Sequence, residues 1–233
     1  RIDKDKGGLL VFGTESSIDQ SKSASLFVKT ALKLKPEVRA FEVKEACFGL
    51  TAALMIARDF VRVHPNQTAI VIGSDIARYG VGTPGEVTQG AGSISMLIKA
   101  DPSIVALNDG HSAYSEDIND FWRPNFSRVA MVEGKYSTLV YLDFFTKTFN
   151  AYKKQKNLKT SDFDAITYHM PFTKMALKAN RIAVEGQDEE TTKKLENSFE
   201  AAKQLSRRVG NVYTASLYLS LLSLLENANL AAG

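Results

Sequence analysis

The sequence is poor in the residues that build covalent and metal cross-links. Its 233 residues include one cysteine and three histidines. A single cysteine excludes a disulfide within the chain and a zinc site built on several cysteines. The three histidines are too scattered to form a metal-ligand motif with it. What needs an explanation is the one thiol, Cys47.

The sequence also lacks a charge excess and a long apolar run. Lys and Arg number 29 against 26 Asp and Glu, which gives a formal net charge of +3 with no basic stripe for nucleic acid. The longest strongly apolar stretch, residues 213–225, is interrupted by three serines and is shorter than the roughly 20 residues of a membrane span. A hydrophobic content of 44% excludes disorder. We therefore expect a cytoplasmic globular chain without a nucleic-acid or membrane partner.

Short and long apolar runs alternate along the chain. Short runs predict strands at residues 9–13, 38–43, 68–73, 90–98, 104–107 and 164–168. Longer runs with helical spacing predict helices at residues 19–34, 45–63, 136–152, 172–180, 187–209 and 211–227. This alternation predicts an α/β fold with a mainly parallel sheet covered on both faces.

Cys47 lies where a predicted strand leads into a predicted helix that begins with small residues. The exposed N–H groups and the dipole of a helix N-terminus favour the thiolate, which is the nucleophilic form. The alternative is a free cysteine packed as a small hydrophobic residue, and position alone favours that alternative.

Glu15 and His169 each follow a predicted strand, at the sheet edge where α/β proteins bind ligands. A partly desolvated carboxylate suits a general base. The alternatives are an acid near a helix N-terminus for Glu15 and a hydrogen-bonded structural histidine for His169.

Lys174 and Lys178 share one helix face, which either meets phosphates or is simply solvated. Together with Cys47, these residues support covalent acyl chemistry with a thiol nucleophile.

Seven ordered stretches resemble the hydroxymethylglutaryl-CoA (HMG-CoA) synthase family of the bacterial type. They are residues 14–19, 45–49 with 51–53, 74–79, 88–92, 120–124, 169–174 and 207–218. The resemblance spans nearly the whole chain and implies a thiolase-like fold, with two similar α/β halves in an α-β-α-β-α layered core that is incomplete at both ends. Residues 1–105 would be the N-terminal half without its first βα segment, and residues 106–233 the C-terminal half truncated after the helix at 211–227.

The resemblance implies condensation of acetyl-CoA with acetoacetyl-CoA and water to give HMG-CoA and CoA, as in the mevalonate pathway. It implies that Cys47 is the nucleophile that becomes acetylated, Glu15 the acid/base and His169 the residue that holds the acetoacetyl thioester. The substrate-binding positions that it implies are Asp75, Tyr79, Thr88, Asp120, Ser137, Lys174, Lys178 and Asn211. It implies a cytoplasmic homodimer with no metal and no cofactor beyond the CoA thioesters.

Two departures from the family pattern stand out. Val87 precedes Thr88 where the family usually has proline, and the family continues past residue 233 into a Gly/Ser-rich strand and loop. Two alternatives remain open. One is another condensing enzyme of the thiolase fold, which would use His/Asn or a second cysteine as its base. The other is a catalytically inert fragment of the synthase.

Overall fold

The computed structural model describes residues 3–230, so the two chain ends at which truncation was predicted, residues 1–2 and 231–233, lie outside it. The described chain forms two compact units, each assembled from separate stretches. Unit 1 comprises residues 3–77, 90–108 and 212–215, and unit 2 comprises residues 78–89, 109–211 and 216–230. The predicted division into halves at residue 105 concerns the linear sequence and stays a prediction.

Unit 1 contains a four-stranded mixed sheet in the order β2-β1-β3-β4. The strands are β1 (Gly7–Gly13), β2 (Arg39–Val43), β3 (Thr68–Ile76) and β4 (Ala91–Ile98). The central strand β1 runs parallel to both β2 and β3, whereas β4 runs antiparallel to β3. The register aligns Gly13 with Val43 on one side and with Gly73 on the other. The predicted mainly parallel sheet is therefore confirmed, with one antiparallel edge strand.

Two helices cover this sheet. The helix α1 (Ala24–Ala31) begins after the N-cap Ser23 and packs on a buried cluster that includes Leu10 and Phe12 of β1. Because alternate residues of a strand point to opposite faces, Leu9 and Val11 turn to the other face, on which α2 (Gly49–Val63) packs. The result is a helix–sheet–helix sandwich.

Glycine allows α2 to begin against the sheet itself. A Cβ atom on Gly13, the last residue of β1, would lie 2.6 Å from the backbone of Gly49 and Leu50. A Cβ atom on Gly73 of β3 would lie 2.3 Å from the Leu50 side chain. Since real Cβ atoms do not come this close to their neighbours, both positions exclude a side chain and keep the start of α2 at the ends of β1 and β3.

Unit 2 is mainly helical. Its helices are α3 (Gly134–Lys156), α4 (Thr173–Val184), α5 (Glu189–Ala202), α6 (Ser206–Val209) and α7 (Ser216–Asn227). A short antiparallel ribbon is formed by β5 (Phe121–Trp122) and β6 (Met131–Val132). The core of unit 2 gathers Tyr168, Met170, Ala176, Ala179, Phe199, Ala202 and Leu224. No helix between residues 3 and 230 is both long enough and apolar enough to cross a membrane.

Two predicted strands are wrong. Residues 104–107 are irregular, with Ile104 largely exposed, and residues 164–168 are irregular although Tyr168 is buried in the unit 2 core. Neither segment has a strand beside it in the described part of the chain with which to form a ladder. A short apolar run indicates that a segment is buried. The segment becomes a β-strand only where it can hydrogen-bond to a neighbouring strand.

The predicted helices are confirmed as elements but differ at their ends. The helix predicted from residue 19 begins at Ala24, because the Asp19 carboxylate accepts from the N–H groups of Ser21 and Lys22 and forms a turn first. The helix predicted over residues 187–209 divides into α5 and α6. The helix predicted from residue 45 begins only at Gly49, so Cys47 lies just before it.

We expect Gly13→Ala to destabilise unit 1 by about 1–3 kcal/mol, the usual cost of overpacking. The added methyl group would press on the backbone of Gly49 and Leu50 and displace the start of α2. Urea unfolding followed by circular dichroism measures the change. Gly134→Ala is the matched control, because a Cβ atom there meets nothing within 4 Å. Equal stability of the two variants would contradict the expected clash.

Candidate active site

The strand ends of unit 1 bring Glu15 and Cys47 together. Glu15 follows β1 by two residues, and Cys47 precedes α2 by two residues. The Cys47 Sγ lies 4.0 Å from the Glu15 Oε2. Glu15 is 8% exposed and Cys47 is partly buried. A thiol and a largely desolvated carboxylate therefore face each other at one end of the sheet.

A tight turn sets the orientation of Cys47. Phe48 N donates to the Glu45 carbonyl at 2.9 Å, and Gly49 N donates to the Ala46 carbonyl at 3.3 Å. Ala46 has a φ angle of +39°, in the left-handed region that costs non-glycine residues about 1 kcal/mol or more. The thiol thus lies on a constrained turn directly before the N-terminus of α2, where the helix dipole favours an anion.

Asp75 fixes the loop that carries Glu15. Its carboxylate, 3% exposed, lies near the end of β3. The Oδ1 atom accepts from Thr14 Oγ1 at 2.6 Å, from the backbone N–H groups of Glu15 and Ser16 at 3.0 Å, and from Ser16 Oγ at 2.7 Å. The Oδ2 atom accepts from the Thr214 N–H at 3.1 Å. Its substrate-binding role stays a prediction, while the contacts show a carboxylate that holds the Glu15 loop.

In unit 2, three predicted substrate-binding residues lie together. Asn211 is buried; its N–H donates to the Thr88 carbonyl at 2.8 Å and its Nδ2 donates to the Tyr79 hydroxyl at 3.1 Å. Ser216 Oγ donates to Asn211 Oδ1 at 3.0 Å, which fixes the amide orientation. The motif at residues 207–218 thus anchors the segment around residues 79–88.

Asp120 and Ser137 form a second pair in unit 2. Ser137 lies in the first turn of α3, and its hydroxyl donates to Asp120 Oδ2 at 2.9 Å. Lys174 and Lys178 are exposed on one side of α4, opposite the buried Met175 and Ala179. These two lysines therefore lie on a solvated face, free to meet an anion.

His169 is held by its backbone and is partly buried. The Tyr141 hydroxyl donates to the His169 carbonyl at 2.8 Å. Nδ1 is buried and finds no hydrogen-bond partner among the described residues. Desolvation lowers the pKa of His169 to about 4, so its ring is neutral at pH 7. A neutral imidazole carries one N–H and one acceptor nitrogen.

Some residues that support these positions were not singled out from the sequence. Thr14, Ser16 and Thr214 lie inside the quoted motifs, but nothing in their spacing shows that they converge on one carboxylate. Tyr141 had no sequence signal beyond its place in an amphipathic helix. Within residues 3–230, no three His, Cys, Asp or Glu side chains are grouped so that they could hold a metal ion.

Comparison with known proteins identifies two adjoining family models. Residues 1–103 match the model described as hydroxymethylglutaryl-coenzyme A synthase N terminal, and residues 105–202 match its C-terminal counterpart. The chain is 42% identical over 232 residues to the hydroxymethylglutaryl-CoA synthase of Enterococcus faecalis, covering 99% of this chain and 61% of that protein. It is 30% identical over 244 residues to the Bacillus subtilis polyketide biosynthesis 3-hydroxy-3-methylglutaryl-ACP synthase PksG, covering 96% of this chain and 58% of that protein.

Solved structures agree with the sequence comparison. A crystal structure of HMG-CoA synthase complexed with CoA superposes with a TM-score of 0.97 at 47% identity, covering 99% of this chain and 60% of that chain. The structure of MvaS in complex with 3-hydroxy-3-methylglutaryl coenzyme A superposes with a TM-score of 0.86 at 35% identity, covering 96% of this chain and 60% of that chain. The chain has the thiolase-like fold of these neighbours and spans about three fifths of the length of its relatives.

The His169 ring is expected to stay neutral throughout the neutral pH range. In an NMR titration, its Cε1 proton should shift only near pH 4, because burial opposes the imidazolium form. The signal is assigned by its loss in His169→Asn. A midpoint near the ordinary pKa of 6.5 would contradict the desolvation of the ring.

The same shift predicts how stability depends on pH. Since folding lowers the pKa of His169, the unfolded chain takes up the proton first as the pH falls. The stabilisation that comes from the lowered pKa of His169 is complete above about pH 6.5 and is lost as the pH falls toward about 4. In urea unfolding, the stability of the wild type relative to His169→Asn should therefore fall between pH 6.5 and 4.5, by up to about 1.4 kcal/mol per pH unit. A difference in stability between the two proteins that stays constant over this pH range would contradict the predicted pH dependence.

Proposed function

This chain belongs to the hydroxymethylglutaryl-coenzyme A synthase family, and on that premise we propose that it carries the acetyl-transfer and condensation residues of such a synthase. The reaction joins acetyl-CoA, acetoacetyl-CoA and water to give 3-hydroxy-3-methylglutaryl-CoA and CoA. The observation that carries the proposal is the 4.0 Å approach of the Cys47 thiol to the Glu15 carboxylate. The family resemblance assigns the nucleophile and the acid/base to these two residues.

The first step is acetyl transfer to Cys47. The thiolate attacks the thioester carbonyl of acetyl-CoA, a new C–S bond forms, and the bond to the CoA sulfur breaks. The proton of the thiol ends on the departing CoA. The position of Cys47 just before the N-terminus of α2 supports this step, because the dipole of the helix favours the thiolate.

The second step is carbon–carbon bond formation. Glu15 removes a proton from the methyl group of acetyl-Cys47, and the resulting enolate carbon attacks the ketone carbon of acetoacetyl-CoA. The new alkoxide takes up the proton that Glu15 had removed, which returns Glu15 to its carboxylate form. Water then cleaves the thioester to Cys47, which releases the product and restores the thiol. The low exposure of Glu15 supports its role, because a shielded site keeps bulk water away from the proton transfer.

His169 is assigned by resemblance to holding the acetoacetyl thioester. Its neutral ring supports this role, since one ring N–H is available as a donor to a carbonyl oxygen without an added charge. Thiol, carboxylate and hydrogen-bond donors suffice for thioester exchange and proton abstraction. We therefore propose that the reaction uses no metal and no cofactor beyond the CoA thioesters.

Three wider properties are proposals that rest on the family resemblance alone. They are a cytoplasmic location, a homodimeric assembly and a place in the mevalonate pathway.

The main alternative to CoA is another carrier for the acyl groups, because PksG of Bacillus subtilis is named as an HMG-ACP synthase. The higher identity to the CoA-dependent relative, 42% against 30%, favours CoA.

We expect the 233-residue chain to gain one acetyl group after mixing with acetyl-CoA, and Cys47→Ser to gain none. Cys47 is the only thiol in the chain, so no other cysteine can take its place. Intact-protein mass spectrometry with rapid acid quenching measures the adduct. An unmodified wild-type chain would favour the inert-fragment alternative. Adduct formation with acetyl-ACP but not with acetyl-CoA would identify ACP, and not CoA, as the carrier of the acyl group.

We expect Glu15→Gln to keep the acetyl adduct and to lose condensation. Loss of a general base lowers the rate by about 10²- to 10⁴-fold, measured as HMG-CoA formed from acetyl-CoA and acetoacetyl-CoA by liquid chromatography and mass spectrometry. Glu196→Gln is the matched control, since Glu196 is exposed on α5. Condensation at the full rate in Glu15→Gln would favour another thiolase-fold mechanism.

A further inference from the structure

The helix α2 begins without a capping side chain of its own. Its N-cap residue is Phe48, which makes no side-chain cap hydrogen bond. The first N–H groups of an α-helix have no acceptor within the helix, and a Ser, Thr, Asp or Asn at the N-cap usually supplies one. Leu50, the second residue of α2, is fully buried. Its N–H therefore needs an acceptor from elsewhere in the protein.

Thr214 supplies that acceptor from 164 residues further along the chain. The Leu50 N–H donates to Thr214 Oγ1 in a short, buried hydrogen bond. The backbone N–H of Thr214 donates in turn to Asp75 Oδ2 at 3.1 Å. These three residues belong to unit 1. Thr214 thus joins the start of α2 to the carboxylate that holds the Glu15 loop.

The bridge is enclosed tightly on the side of Cys47. A Cβ atom on Gly49 would lie 3.3 Å from Thr214 Oγ1 and 3.2 Å from the Val43 carbonyl. Thr214 is itself 1% exposed. A side chain at Gly49 would press on the Thr214 hydroxyl, so the first turn of α2 is packed directly against the bridge.

We propose that Thr214 is a positioning residue that sets the approach of the Cys47 thiol to the Glu15 carboxylate. One side of the bridge fixes Leu50, three residues after Cys47. The other side fixes Asp75, whose Oδ1 binds the backbone of Glu15. The proposal rests on the proposed function, in which these two side chains act on the same acetyl group. Thr214 acts through Leu50 and Asp75.

A double-mutant cycle, read by alkylation of Cys47 with iodoacetamide over about pH 6–10, tests the proposal. Glu15→Gln removes the negative charge that faces the thiol and shifts the pH profile of alkylation. Thr214→Val keeps the backbone N–H and the shape but removes the acceptor. In that background, we expect the Glu15→Gln shift to fall to less than half. Thr214→Ser, which retains the acceptor, restores it.

The matched control is Thr191→Val. Thr191 is also a buried threonine at the start of a helix, and both its N–H and its hydroxyl donate to Asp188 in unit 2. The control loses the same hydroxyl group and some stability, but it leaves the full Glu15→Gln shift in place. An undiminished shift in Thr214→Val overturns the proposal. An equal loss in Thr191→Val also overturns it, because a general loss of stability would then explain the result.

The wild-type chain provides a second measurement that does not depend on the folding of a variant. The Leu50 amide should exchange slowly with deuterium, because Thr214 supplies the acceptor that the helix lacks. Exchange as fast as that of a free helix N-terminal amide overturns the proposal. Neither measurement requires an acyl-CoA. If no acetyl adduct forms while the cycle gives the expected result, the proposed function fails and the positioning role stands.

Discussion

One buried carboxylate, Asp75, holds together the end of unit 1 that carries the Cys47 thiol and the Glu15 carboxylate. A buried carboxylate costs several kcal/mol unless donors surround it. Here the donors come from two separate parts of the chain, namely from the consecutive residues Thr14, Glu15 and Ser16 and from Thr214. The Thr14 hydroxyl and the Thr214 N–H are buried donors that this carboxylate satisfies. The loop after β1, the end of β3 and the segment at Thr214 therefore depend on one another.

The glycine contacts explain why this network can reach Cys47. The start of α2 sits against the ends of β1 and β3 only because Gly13 and Gly73 leave room for it. The turn at Ala46 then places the thiol before the helix, within reach of Glu15. Gly13 packs on the backbone of α2 and Gly73 on the Leu50 side chain, which makes the geometry intolerant of added volume.

The sequence was sufficient to predict the strands β1 and β3, the helix α2 and the positions of Glu15 and Cys47 beside their ends. Parallel strands end at the same edge of a sheet, so residues that follow them lie close together. The bonds to Asp75 could not be predicted, because they depend on the register that pairs Gly13 with Gly73. The irregular course of residues 164–168 could not be predicted either. Apolar residues indicate that a segment is buried, but they do not show whether a neighbouring strand is present to pair with it. The roles of the individual site residues remain predictions.

The interleaving of the two units has a consequence for biosynthesis. Leu50 and Asp75 leave the ribosome long before Thr214, which follows Leu50 by 164 residues. At about 5–20 residues per second, that delay is roughly 10–30 s. During this time the sheet of unit 1 can form, but the start of α2 lacks its cap and Asp75 lacks a donor. The nascent chain thus carries Cys47 in an unfinished setting until Thr214 has been translated.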